Sequence, residues 1–158
     1  MTTYYSGKYQ KAITFYEKSI EIQQRIYSAD HPDLAKSYNW IGNAYESLND
    51  KEKALSYHEK ALKIQQRSLP PNHLDLASTY NSIGVIYKNM RNFAKALSCY
   101  EKDLEISKQA LPSNHPDLAA SYNNLGLLYK AKGDFEKALS NHEKALEVQW
   151  PALTPDHL

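Results

Sequence analysis

An all-helical fold built from repeated helix pairs is predicted by three features of this 158-residue sequence. First, a short block recurs without a break in register: His31-Pro-Asp-Leu-Ala, His73-Leu-Asp-Leu-Ala, His115-Pro-Asp-Leu-Ala and a stub at His157-Leu158, each 42 residues after the last. Second, apolar residues inside each block return at helical period. Third, proline-bearing segments, Leu69-Pro-Pro-Asn and Leu111-Pro-Ser-Asn, end one block and open the next, as proline cannot continue a helix. The predicted fold class is all-α, a right-handed superhelical solenoid of about seven helices with no strand, in which each unit buries its apolar face against its neighbours.

Residues 1–30 match the last thirty positions of the unit, because Gly7-Lys-Tyr-Gln-Lys-Ala-Ile aligns with Gly133-Asp-Phe-Glu-Lys-Ala-Leu. The chain therefore reads as one array over 1–158. It holds a partial repeat (1–30), full repeats at 31–72, 73–114 and 115–156, and the start of a further one at 157–158. The first helix of each repeat opens at the His-x-Asp segment. Pro32 and Pro116 suit the first helical position, and Asp33, Asp75 and Asp117 favour the positive end of the helix. Leu34, Tyr38, Ile41, Tyr45 and Leu48 form its apolar stripe. Gly42, Gly84 and Gly126 fall inside that helix, where glycine costs about 1 kcal/mol relative to alanine. The same cost at the same place three times implies that another helix approaches closely there. Turns are expected at Asn49-Asp50, Arg91-Asn92 and Gly133-Asp134. The second helix then carries an apolar face, Phe93, Ala96, Leu97, Tyr100 and Leu104 in the middle repeat, and a charged one. Helices are predicted near 8–26, 32–48, 50–66, 74–90, 92–109, 116–132 and 134–149.

Composition excludes several classes of function. A formal net charge of +1 lacks the basic excess of nucleic-acid binders, so no nucleic-acid partner is expected. No stretch reaches the ~20 apolar residues needed to span a bilayer, and the N-terminus has no apolar signal core. A soluble, cytoplasmic chain without a membrane partner is the expectation. Cys99 is the only cysteine, which rules out an intrachain disulfide and a cysteine zinc site. Four of the six histidines, His31, His73, His115 and His157, come one per repeat, too far apart to share a metal ion; helix starts are their expected place. His58 and His142 replace Tyr16 and Tyr100 and are expected in the core, stacked on neighbouring rings. Phosphate loops, dinucleotide fingerprints, HExxH and nucleophile elbows do not occur. No catalytic residue, metal or cofactor is expected, and the chain is not read as an enzyme.

In the third full repeat, Tyr122, Leu125, Gly126, Tyr129, Ala138, His142 and Ala145 stand in an order that resembles the tetratricopeptide pattern. The usual repeat has ~34 residues. The 42-residue period, the His-Pro-Asp-Leu-Ala opening and the Leu-Pro-x-Asn linker resemble the kinesin light chain subtype, over essentially the whole chain. The pattern fails locally in two places. Lys51 stands where Tyr9, Phe93 and Phe135 stand elsewhere, and Asp103 replaces the small residue seen as Ser19, Ala61 and Ala145. Looser packing is expected at both.

The resemblance implies a scaffold that holds a partner protein, with the first helices lining a concave groove. A helical wheel sets Lys36, Asn39, Asn43 and Glu46 away from the core positions 38, 41 and 45. The corresponding residues are Ser78, Asn81, Val85 and Lys88, then Ala120, Asn123, Leu127 and Lys130. An amide offers donors and an acceptor, so Asn39, Asn81 and Asn123 could bond the backbone of an extended peptide. Similar asparagines contact cargo peptides in kinesin light chains. Helices pack about 8–10 Å apart and a strand rises about 3.3 Å per residue, so one asparagine would meet a peptide about every three residues. The alternative is that these amides solvate the helix or bond a neighbour. Lys36, Lys88 and Lys130 favour an acidic ligand. Trp40 either caps an apolar pocket in the groove or packs on the partial first repeat, and Trp150 is expected in end packing. Peptide-binding candidates are therefore Lys36, Asn39, Trp40, Asn43, Asn81, Val85, Lys88, Asn123, Leu127 and Lys130. Two other readings stand beside the peptide scaffold: a self-assembling segment of a longer repeat protein, and a targeting module of a larger enzyme. End-to-end self-association is expected from bare apolar residues at Tyr9, Ile13, Tyr16 and Ile20 and at Leu139, Leu146 and Leu153.

Overall fold

A computed structural model describes residues 2–150, with side chains from residue 7 onward. The described residues form seven helices: α1 (Thr2–Ile26), α2 (Pro32–Ser47), α3 (Lys51–Ser68), α4 (Leu74–Asn89), α5 (Phe93–Ala110), α6 (Pro116–Lys132) and α7 (Phe135–Gln149). They contain no strand among these residues. The predicted boundaries differ by a residue or two, except that α1 begins at Thr2. The chain divides into two compact units, Met1–Pro71 with α1–α3 and Asn72–Leu158 with α4–α7.

The recurring His-x-Asp block caps the first helices. Nδ1 of His31, His73 and His115 accepts a hydrogen bond from the backbone N–H of Asp33, Asp75 and Asp117 at 3.3, 3.1 and 3.2 Å. A histidine ring thus does the work usually given to serine or asparagine, satisfying a donor that the helix start leaves over. At the other end of each first helix the chain turns through one left-handed residue: Asn49 (φ 59°), Arg91 (φ 59°) and Gly133 (φ 82°). Two bonds close each turn. The N–H of Asp50 reaches the carbonyl of Tyr45 while that of Asn49 reaches Glu46, and the same pattern recurs from Asn92 to Tyr87 and from Asp134 to Tyr129. This is the Schellman arrangement that satisfies orphan carbonyls. Asp50, Asn92 and Asp134 then cap the second helices, accepting from the N–H of Lys53, Lys95 and Lys137.

Each helix pair is locked where the first helix carries glycine. A Cβ built on Gly42 would lie 2.6 Å from Nε2 of His58, one on Gly84 2.7 Å from Cε1 of Tyr100, and one on Gly126 2.7 Å from Cε1 of His142. No alanine fits there unless the ring shifts. His58 and Tyr100 are almost wholly buried; His142 is half-buried. In the second unit Ala96, Tyr100, Leu125 and Leu128 form one core cluster, with Val85, Phe93 and Leu97 packed against it.

The tyrosines close the helix pairs from outside. Lys53 lies 5.1 Å from the Tyr45 ring centre, Lys95 5.1 Å from Tyr87 and Lys137 5.4 Å from Tyr129. Each contact joins the last turn of a first helix to the first turn of its partner, at ~0.5–1 kcal/mol for an exposed cation over a ring.

The expectation for α1 needs correction. Ile13 and Ile20 are buried against α2 and Tyr16 packs edge-on to Trp40, so none of them is bare; Tyr9 is half-buried. The exposed apolar residues of α1 are instead Phe15, Ile22 and Ile26. On α7, Leu139 and Leu146 are exposed as expected, together with Phe135, and so is Trp150 just past its end. Leu153 and the stub at 157–158 lie outside the described residues.

Candidate functional site

In the first unit the site gathers around Trp40. Its ring meets Tyr16 edge-on, with centroids 5.2 Å apart, yet stays 56% exposed. It separates two cavities. One, of about 250 Å³, runs between Tyr9, Ala12, Tyr16 and Asn43; the other, of about 230 Å³, lies among Ser19, Gln23, Asp33, Lys36 and Ser37. Trp40 thus packs on Tyr16 of the partial repeat and lines both hollows. A half-exposed indole between two polar-rimmed hollows can take an aromatic or aliphatic side chain on its faces. Asn43 is exposed at the rim. Lys36 reaches Asp33 on its own helix at 3.2 Å.

The three asparagines do not behave alike. Oδ1 of Asn39 lies 2.8 Å from Nδ1 of His58, whose Nε2 is 3.0 Å from Oε1 of Glu46. Oδ1 of Asn123 stands likewise 2.9 Å from Nδ1 of His142. Asn39, Gly42 and Glu46 form one stripe at i, i+3 and i+7, and the stripe faces the ring below. These two histidines are therefore held by amides, which the expectation of ring stacking missed. The middle repeat has Tyr100 at the ring position, and there Oδ1 of Asn81 accepts instead from Nδ2 of Asn124 on α6, at 2.8 Å. This bond joins two first helices. Asn124 was not among the sequence candidates: its counterparts are Trp40 and Ser82, so no repetition marked it.

Of the remaining candidates, Leu127 is 44% exposed and Lys130 is exposed, whereas Lys88 is half-buried. Val85 packs against the core cluster and contributes to stability.

Beneath the Asn81–Asn124 bridge lies a cavity of about 250 Å³ between α4, α5 and α6. Its floor is Asp103, only 5% exposed, with Ser107 donating to Oδ1 at 3.4 Å. Burial pushes the Asp103 carboxyl up to about 6 from 3.8; the Ser121 and Ser107 hydroxyls act against this, and the charge of Asp117 adds to it. Looser packing is the expectation at this departure from the repeat, and a cavity lies there.

These repeated, capped helix pairs define a helical-repeat protein. The sequence matches the family model described as tetratricopeptide repeat over residues 1–67 and 72–149, and the chain belongs to that family. Its repeats are of the kinesin light chain type. Among solved structures it is similar to BtubC (BKLC) from P. vanneervenii, at 28% identity and a TM-score of 0.85 over 94% of this chain. It spans 59% of that protein. It is also similar in fold to a kinesin light chain-type protein from Podosopora anserina with nearly identical TPR-like repeats (23% identity, TM-score 0.76, 94% of this chain and 70% of that one). The N-terminal domain of stress-induced protein-1 from C. elegans shares the fold more distantly (21% identity, TM-score 0.61, 75% of this chain and 86% of that one). No curated protein matches the sequence significantly.

Asp103 gives a test of this geometry. Between about pH 4 and 6 the folded chain holds a proton that the unfolded chain has released, so folding stability from this group is greatest below pH 4 and is lost as the pH rises through about 6. Asp103→Ala should raise stability at pH 7 by ~1–3 kcal/mol, less the serine hydrogen bonds, and the gain should shrink towards pH 4. Urea melts of both proteins at pH 4 and pH 7 measure it. A destabilised variant at pH 7 would mean that Asp103 is fully compensated where it lies.

Proposed function

We propose that the chain holds an extended segment of a partner protein on its first helices. Tetratricopeptide arrays are protein–protein interaction modules, and the observation that carries the finer reading is the Asn81–Asn124 bridge above an open cavity. A bridging amide keeps spare donor and acceptor capacity for a passing peptide backbone, and the hollow below it admits a side chain. Trp40 and its two cavities give the first unit a matching place for an apolar residue. Asn39 and Asn123, engaged with histidines, serve recognition less directly than Asn81. Lys88 and Lys130 favour acidic residues in the ligand near them.

Asn81→Ala should weaken a peptide selected on this chain by about fivefold or more, the effect of losing one hydrogen bond and stranding its partner, ~1 kcal/mol. Titration calorimetry reads the affinity, and circular dichroism should not move. Unchanged affinity for every selected peptide would make the amide bridge purely structural.

A second reading rests on α7, where Phe135, Leu139 and Leu146 are exposed, with Trp150 exposed just past its end. A stripe of this kind usually marks an interface, and a second copy of the chain would bury it. Light scattering should then show association that rises with concentration and that Leu139→Gln with Leu146→Gln abolishes. A monomer at high concentration in both proteins would leave the first-helix surface as the binding face.

A further inference from the structure

The cavities of the two units occupy the same place in the repeat, two periods apart, but differ in charge. The first pairs Asp33 with Lys36, whereas the second holds, among the described residues, two carboxylates and no cation on its wall. Ser19, Lys36 and Trp40 line the one in the first unit; Asp103, Ala120 and Asn124 hold the corresponding positions in the second. The frame forms the hollow, and residue choice sets what it accepts. In the second unit that choice is costly. Asp103 is buried at a position where the sibling repeats carry Ser19, Ala61 and Ala145, and a buried carboxylate is unfavourable unless a cation answers it. No lysine, arginine or histidine lines the cavity among the described residues. Asp117 of α6, whose largely exposed carboxylate lies 3.7 Å from Nδ1 of His115, adds a second negative charge at the mouth. Helix α4 contributes only the uncharged Leu74, Ala77, Ser78 and Asn81, and the hydroxyls of Ser107 and Ser121 complete the wall.

We propose that this cavity receives the cationic tip of a lysine or arginine side chain of the bound partner segment, seated against Asp103 and Asp117. Ammonium and guanidinium groups only donate hydrogen bonds, and the wall is rich in oxygens that accept them. The cation supplies the charge that the fold leaves out. A ligand of this kind carries a basic residue at the cavity and acidic residues nearer Lys88 and Lys130. The inference deepens the peptide-holding reading, but the cavity can be probed without a peptide.

The test is an NMR titration of the whole chain with butylammonium and butylguanidinium, with neutral butyramide as control. Either cation should saturate shifts at amides within 77–81, 103–107 and 117–124. Asp103→Ala should weaken this about tenfold or more, as expected for losing a charge-assisted hydrogen bond, while its melting temperature does not fall. Protonation of Asp103 near pH 6 should weaken cation binding in the parent chain. Equal shifts with butyramide, or full binding by Asp103→Ala, would overturn the assignment. Selected peptides separate the two readings. If Asn81→Ala weakens them but replacing their lysines and arginines by glutamine does not, the peptide reading stands and the cation site falls. If the small cations bind and no peptide does, the reverse holds.

Discussion

The contact between a glycine of the first helix and a ring of the second is the constraint on which the rest of each repeat depends. With under 3 Å between a would-be Cβ and His58, Tyr100 or His142, the two helix axes come closer than any side chain would allow. The turn must therefore be short, which requires the left-handed residue at Asn49, Arg91 or Gly133. The last tyrosine of the first helix is brought over the first-turn lysine of the second. Arg91 tolerates a backbone conformation that glycine adopts at no steric cost, so the tightness of the pair outweighs local preference there.

The same contact governs what the first helix can offer to a partner. Asn39 and Asn123 lie one turn before their glycines and are drawn to the histidine beneath. Tyr100 carries no ring nitrogen at that place, and Asn81 bonds sideways to Asn124. A substitution in the packed interior thus changes the chemistry of the outer face. Asp103 acts in the same way from the opposite direction, since its carboxylate gives an acidic wall to a hollow that also exists beside Ser19 in the first unit.

Most of the fold was legible in the sequence because its causes are local and repeated. A 42-residue period, capping residues at fixed offsets and proline-bearing linkers each name an element without reference to the rest of the chain. Gly42, Gly84 and Gly126 even announced a tertiary contact, since a helix-weakening residue recurred in register. The site was less legible, for two reasons. A helical wheel separates core from surface but does not say which neighbour lies over a flank, so Asn39 and Glu46 were assigned to an open face although they clamp His58. The stripe of asparagine, glycine and a charged residue at i, i+3 and i+7 held that information. Asn124 and Asp103 are residues that break the repetition which made everything else visible.

The central claim is that the ring under the glycine decides whether the asparagine above it is held inside or given to the surface. Replacing Tyr100→His puts the ring of the sibling repeats beneath Asn81, and a crystal structure of that variant tests the claim directly. Asn81 is expected to leave Asn124 and place Oδ1 within hydrogen-bond distance of the new ring nitrogen, as Asn39 and Asn123 do at 2.8 and 2.9 Å. An Asn81 still bonded to Asn124 above an intact ring would contradict it.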